Sequence, residues 1–305
     1  MELRQLEYFI TVCEELHFTR AAEKLNIAQP TLSQQIKVLE GEIGIPLFDR
    51  IGKKTALTEA GKILFKHSKQ VFYELEQAQA AIGELNGLER GRLTIGSLLT
   101  CMNYLLPPAL VRFKELYPNI ELSVQGLRTE EIERSIMENE LDLGLTFLPN
   151  GNNELDEISL YTEELALAVS KGHPLARNTV INFNETSNIP LILMPENYQL
   201  RQLIEGCALT SGITIKPTLE LTTLESIIQM TEKGVGATIL PLPYLEHLNN
   251  QNIKIVKLLD PTPRRKIGII YRKDKFMCTA TRTFIGEVTK ALADGVEDRV
   301  IDINP

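Results

Sequence analysis

The stretch HFTRAAEKLNIAQPTLSQQIKVLE, His17 to Glu40, decides how the first part of this chain is read. A short helix fits Thr19 to Leu25, started by Thr19, whose hydroxyl can accept a free backbone N–H of the first turn. A longer helix begins near Ala28 or Gln29, with Pro30 in the first turn, where its missing donor costs nothing. It runs to about Ile43 with Leu32, Ile36, Leu39 and Ile43 on one side, and Gly44 is a natural stop. A short helix, a brief turn and a longer helix make a helix-turn-helix, whose second helix enters the DNA major groove by its N-terminal part. Gln29, Thr31, Ser33 and Gln34 fall in those first turns, and they carry both donors and acceptors, as reading base edges requires. The same spacing also fits an ordinary helical core built on Ala21, Ala22, Leu25, Ile27, Leu32, Ile36 and Leu39, with its polar side in water.

Upstream, Leu3 to Leu16 carries Leu3, Leu6, Phe9, Ile10, Cys13 and Leu16 at threes and fours, one face of a helix. Downstream, PLFDRIGKKTALT, Pro46 to Thr58, alternates weakly and turns at Gly52, which reads as a two-stranded wing. Thr58 then caps a long helix on which Leu64, Ser68, Val71, Leu75, Ala78, Ile82 and Leu85 recur alternately at four and three residues. That is a heptad seam, which buries nothing unless another helix lies against it. About thirty helical residues extend roughly 45 Å, longer than a small domain covers, so pairing between two chains is expected. Gly87 and Gly91 mark a linker.

The chain has 305 residues and a formal net charge of -8, but binding belongs to a patch rather than to the whole. Residues 1–58 hold seven basic residues against eight acidic ones. Three of the seven, Arg50, Lys53 and Lys54, fall at the wing tip; Arg20 opens the short helix and Lys37 lies on the longer one. Phosphate contacts fix position while base contacts specify, so the expected DNA-contacting set is Thr19, Arg20, Gln29, Pro30, Thr31, Ser33, Gln34, Lys37, Arg50, Lys53 and Lys54. Hydrophobic residues at 43% and charged residues at 24% are ordinary globular values. No apolar run is long enough to span a membrane, and MELRQLEYFI lacks the features of a secretory signal, so a cytoplasmic protein is expected. Cys13, Cys101, Cys207 and Cys278 form no C-x-x-C pair, and the histidines are scattered, so neither metal nor cofactor is expected.

Beyond Gly91 short apolar strands alternate with amphipathic helices. Strands are expected at Arg92 to Ser97, Glu121 to Gln125, Leu143 to Phe147, Leu165 to Ser170, Leu191 to Met194, Ala237 to Leu240 and Lys266 to Tyr271. Helices are expected at Thr100 to Tyr117, Glu130 to Glu138, Leu200 to Thr210, Leu224 to Lys233, Pro243 to Leu248 and Thr279 to Leu292. This alternation favours a largely parallel sheet with helices on its faces. Strand-to-helix junctions at Ser97 to Thr100, Thr129, Asn197 to Leu200 and Thr222 to Thr223 could converge on one small anion. Thr and Asn are also simply good caps.

FTRAAEKLNIAQPTLSQQIKVLEGEIGIPLFDR followed by LTEAG resembles the winged helix-turn-helix of LysR-type transcriptional regulators. GRLTIGS, LLPPALVRFKELYPNIEL, ELDLGL, HPLA and GVGATILP fall in the order and spacing of that family's regulatory domain. The resemblance implies an α/β protein with an N-terminal all-α winged helix-turn-helix domain, a long linker helix pairing two subunits, and a C-terminal two-lobed sensor like a type II periplasmic binding protein. It also implies a homodimer assembling to a homotetramer on a partly palindromic double-stranded DNA operator, with RNA polymerase as a further candidate partner. In these terms residues 1–58 are the DNA-binding domain, 59–90 the linker helix and hinge, with Leu64, Val71, Leu75, Ala78, Ile82 and Leu85 at the dimer seam, and 91–305 the effector domain. Lobe I would comprise 91–161 and 267–305, and lobe II 162–266, with two crossovers as hinge and a small, anionic effector between the lobes. One departure is Ala28, where many members cap the recognition helix with Ser; Ala caps less well by about 0.5–2 kcal/mol.

By motif position the resemblance carries Thr100, Cys101, Thr129, Phe147, Tyr198 and Thr223 into the cleft. Arg201 is added as a carboxylate partner because a guanidinium presents a fork of donors; its alternative is a solvated helix charge. Peroxide-sensing relatives use two sensor cysteines close in sequence, whereas Cys207 has no near partner, so Cys101 is read as a small cleft wall. Two other functions fit a two-lobed chain: an enzyme, or a solute-binding protein whose first helices serve only oligomerisation. The first needs a nucleophile, base or metal, and no G-x-S-x-G, P-loop or G-x-G-x-x-G after a strand is found; the second is disfavoured by the missing export signal.

Overall fold

The computed structural model describes residues 1–51, 54–85 and 91–294. Lys53 lies outside the described residues, as do the side chains of Arg50, Lys54 and Leu85. Two compact units divide the chain after Leu85.

In the first unit α1 spans Leu3–Glu15, α2 Phe18–Lys24 and α3 Gln29–Ile43. The apolar stripe expected on α1 is buried at Leu6, Phe9 and Cys13, but Leu3 and Leu16 at its ends are exposed. Thr19 does not cap α2. The cap is His17, whose extended backbone precedes the helix and whose Nδ1 accepts a long bond from the Arg20 N–H (3.5 Å). Thr19 therefore sits inside the first turn. α3 starts after Ala28 with no side-chain cap, has Pro30 in its first turn, and ends on Gly44 in the left-handed region, where glycine has no Cβ penalty. Leu32, Ile36 and Leu39 are fully buried, whereas Ile43 is exposed.

The wing pairs β1, Phe48–Ile51, antiparallel with β2, Lys54–Leu57. Its base is fixed from α3: the Leu47 N–H donates to Glu40 Oε1 (2.8 Å). Phe48 packs its ring against Phe9 and Phe18, with centroids 5.4 and 5.6 Å apart. Helix α4, Glu59–Leu85, is capped by Thr58, whose Oγ1 accepts from the Gly61 N–H (3.0 Å). Leu64, expected on the seam, packs against the first unit's own core, because the first turns of α4 lie over that core. Farther along, Val71, Leu75, Ala78 and Ile82 are exposed.

The second unit opens with β3, Gly91–Ser97, and α5, Leu99–Tyr104, followed at once by α6, Leu106–Leu116. One helix was expected across this span. Pro107 and Pro108 lack the N–H donors that would continue the ladder, so the chain starts a new helix there. Next come β4, Ile120–Gly126; α7, Thr129–Met137; β5, Leu143–Leu148; and β6, Leu155–Ser170. A 3-10 turn at Pro174–Arg177 leads to β7, Val180–Asn182, and another at Phe183–Asn188 to β8, Leu191–Leu193. The remainder is α8, Gln199–Thr210; β9, Pro217–Glu220; α9, Leu224–Glu232; β10, Thr238–Pro241; α10, Leu242–Leu248; β11, Ile253–Leu259; β12, Arg264–Arg272; and α11, Thr279–Asp294.

The sheet is mixed rather than largely parallel. β3 runs parallel to β4 and β5, but β12 pairs antiparallel with both β5 and β6, and β6 continues antiparallel to β10 and β11. The 16 residues of β6 thus reach from one hydrophobic core to another. The first core gathers Ile95, Leu106, Phe113, Ile132, Ile269 and Phe284; the second gathers Leu167, Phe183, Ile192, Ile204, Ile227 and Val256. Tyr104 packs against both. At the crossing the β6–β12 register shifts between Ile267 and Gly268, where a Cβ on Gly268 would lie 2.5 Å from the Ile158 carbonyl oxygen.

Gly61 offers a direct check of the α4 packing. A Cβ there would fall 2.1 Å from the Leu47 carbonyl oxygen. Gly→Ala inside a helix ordinarily stabilises by about 1 kcal/mol, yet Gly61→Ala is expected to destabilise the first unit by about 1–3 kcal/mol through overpacking. Urea unfolding followed by circular dichroism measures it, and a stabilised variant would contradict the packing.

Candidate functional site

The first site is the N-terminal half of α3. Gln29, Pro30, Thr31, Gln34 and Lys37 are exposed and Ser33 is half-buried, while Leu32, Ile36 and Leu39 are buried. The helix therefore holds one face in its core and offers a polar face outward. Gln29 Nε2 donates to Ser33 Oγ (2.8 Å), which fixes the two side chains against each other and leaves the Gln29 carbonyl oxygen as an acceptor. Thr19 and Arg20 are exposed on α2; Arg20 Nη2 donates to the Glu15 carbonyl oxygen (2.6 Å).

The second site is a cleft in the second unit lined by Thr100, Thr129, Phe147 and Tyr198 together with Arg128, Gln199 and Arg265. The rest of its lining is apolar: Leu98, Leu99, Leu127, Met194 and Leu200. It is small, about 40 Å³, where one ordered water needs about 10–15 Å³. The cleft is bridged by a hydrogen bond from Thr129 Oγ1 to Gln199 Oε1 (3.1 Å), and Thr129 in turn accepts from Thr146 Oγ1 (3.1 Å).

Three sequence-expected cleft residues are elsewhere. Cys101 is fully buried behind Thr100 and is not in the lining. Arg201 is buried rather than solvated, and its charge is used locally: Nε donates to Glu205 (2.7 Å), and Nη1 to the Met194 carbonyl oxygen (3.1 Å) and to Glu220 (3.0 Å). Thr223 is exposed and caps α9, accepting from the Ser226 N–H (3.4 Å).

Sequence reasoning missed the groups with most of the charge. Arg265 on β12 stacks over the Phe147 ring, 4.4 Å from its centroid, and donates from Nη2 to Thr100 Oγ1 (2.9 Å). Its Nε pairs with Glu163 on β6. Glu163 also accepts from the hydroxyls of Tyr104 (2.6 Å) and Tyr161 (3.3 Å). Burial pushes both tyrosines well above their ordinary range, so they act as donors. Burial works against charge on Arg265, but Glu163 together with Cys101, Tyr104 and Tyr161 outweighs it and lifts the guanidinium above its usual value. Arg128 donates to Glu131 (2.7 Å), which holds that carboxyl down to about 2. A signal was present in the opposed doublets Glu163-Glu164 and Arg264-Arg265, one at each crossover.

Among the described residues no helix is long and apolar enough to cross a membrane. Comparison with known proteins matches residues 3–62 to the family described as "Bacterial regulatory helix-turn-helix protein, lysR family" and residues 86–293 to "LysR substrate binding domain". The chain belongs to the LysR family. It is 34% identical to the HTH-type transcriptional activator CmpR of Synechocystis over 93% of each chain. This LysR-family chain also superimposes on a full-length OxyR variant from Pseudomonas aeruginosa with a TM-score of 0.74 at 26% identity, covering 94% of both chains. The regulator CbnR, solved in complex with its target DNA, shares the fold with a TM-score of 0.73 at 20% identity, covering 95% of this chain and all of that one. The chain is accordingly a DNA-binding transcriptional regulator with an effector-binding domain, and its relatives are regulators rather than enzymes.

Burial pushes the Cys101 thiol up to about 12, so its reactive thiolate forms only far above neutral pH. Iodoacetamide at about pH 8 is expected to leave Cys101 unmodified in the native protein and to label it after denaturation. Peptide mass mapping reads both states, and rapid native labelling would contradict the buried placement.

Proposed function

We propose that this LysR-family chain recognises a partly palindromic operator as a homotetramer whose geometry responds to a small anionic metabolite. Residues 1–58 are the reading head, and 59–90 the linker helix and hinge, paired with a second copy along Val71, Leu75, Ala78, Ile82 and Leu85. The effector domain is 91–305, with lobe I at 91–161 and 267–305 and lobe II at 162–266. DNA is contacted by Gln29, Pro30, Thr31, Ser33 and Gln34 at base edges, and by Thr19, Arg20, Lys37, Arg50, Lys53 and Lys54 at phosphates. What carries the DNA reading is the two-faced α3, with a buried apolar side and an exposed side of amides and hydroxyls at its N-terminal end. The complex of CbnR with its target DNA supports it at the level of the fold.

The effector reading rests on Arg265. It lines the cleft, is nearly buried, and keeps Nη1 without an acceptor among the described residues. The first residues of α7 and α8, Thr129 and Gln199, line the same cleft, and helix N-termini favour negative charge. Thr100, Thr129, Phe147 and Tyr198 provide the walls and hydroxyls around it.

The test is an electrophoretic mobility shift with DNA from beside the protein's own gene. Retardation at low salt is expected, with affinity falling steeply as salt rises, because phosphate contacts release counterions. Gln29→Ala with Ser33→Ala is expected to lower the preference for that DNA over random sequence by about 1–3 kcal/mol, leaving random-sequence binding intact. No retardation at low salt would overturn the function.

A further inference from the structure

The groups around Arg265 restrict which anion can enter. Arg265 and Glu163 stand opposite each other in the β6–β12 register, at the crossing between the two cores. They are 7% and 2% exposed. Glu163 is held by Arg265, Tyr104 and Tyr161, so it cannot turn away to water when a ligand arrives. The second guanidinium of the cleft, Arg128, is hydrogen-bonded to Glu131 (2.7 Å). Each cation at the cleft is thus already matched by a carboxylate.

What remains for a ligand is limited. Arg265 Nη1 has no protein acceptor among the described residues, yet it is not sealed from open space. With the N-terminal end of α8, equivalent to roughly half a positive charge, it can hold one carboxylate; the α7 end is already matched by its own Glu130 and Glu131. The walls beyond are Leu98, Leu127, Met194 and Leu200, which suit an apolar body. A second negative charge would meet those walls and the field of buried Glu163, with no unmatched cation among the described lining residues to balance it, and like charges in a low-dielectric site repel strongly.

We propose that Glu163 sets the charge of the effector: the cleft accepts a small monocarboxylate with an apolar body and rejects a dicarboxylate of the same length. This rests on the reading of the cleft as the effector site. Glu163 is a positioning and specificity residue that acts through Arg265.

Butyrate and succinate, which share a four-carbon chain and differ by one carboxylate, are the probes. Their dissociation constants for the full-length protein are measured by ligand-observed NMR at about pH 8, where both are fully ionised, and at constant ionic strength. Wild type is expected to bind butyrate about ten-fold tighter than succinate, and Glu163→Gln to improve succinate by about ten-fold relative to butyrate. If Glu163→Gln fails to fold, the wild-type ratio still tests the charge selectivity, and equal binding of the two acids overturns it. Succinate binding as tightly as butyrate to wild type, or a ratio unmoved in a folded Glu163→Gln, overturns the role of Glu163 and leaves the cleft an anion site. Binding of neither acid removes the effector-site reading, and this proposal with it.

Discussion

An apolar seam that its own domain does not cover is the constraint to which the rest of the protein answers. The first turns of α4 are tied down by Thr58 and Gly61, and Leu64 and Phe65 pack into the core of the DNA-binding unit. Farther on, Val71, Leu75 and Ile82 face water, Ile82 at 59% exposure. Burying such a side chain is worth about 1.5–3 kcal/mol, so several in a row along about 17 Å of helix favour a second helix strongly. A two-fold pair of such helices would hold two α3 faces at a set separation. Two copies in register would let a DNA-binding unit of nearly balanced charge place its few phosphate contacts on both half-sites.

In the effector domain the corresponding constraint is continuity. β6 belongs to both cores, and β12 meets it at the crossing, so a change in the angle between the cores must pass through a few residues there. The Arg265–Glu163 pair occupies that place, and the Thr129–Gln199 hydrogen bond spans the cleft beside it. A ligand changes the preferred geometry only by binding one arrangement more tightly than another.

Local signals were legible in the sequence and long-range ones were not. α3 could be bounded from Pro30 and Gly44 because caps and turns depend on neighbours along the chain. His17 displaced Thr19 as the α2 cap by two positions, which hydrophobic spacing cannot resolve. The break at Pro107 and Pro108 was readable, but the amphipathic pattern on either side concealed it. The first half of β6 and all of β11 were missed because charged residues interrupt their alternation. Thr100, Thr129, Phe147 and Tyr198 were placed in the cleft by resemblance. Arg265 and Glu163, 102 residues apart, are joined only by strand register, which no local pattern records. Arg201 was misleading because its charge is taken up by Glu220 on β9 and by the Met194 carbonyl just after β8.

Sedimentation equilibrium of the full-length protein at micromolar concentration tests the uncovered seam most directly. The expected mass is two or four times that of the 34.3 kDa chain. A species of single-chain mass across the concentration range would contradict it, because the seam would then be stable in water and the two reading heads would have nothing to hold them together.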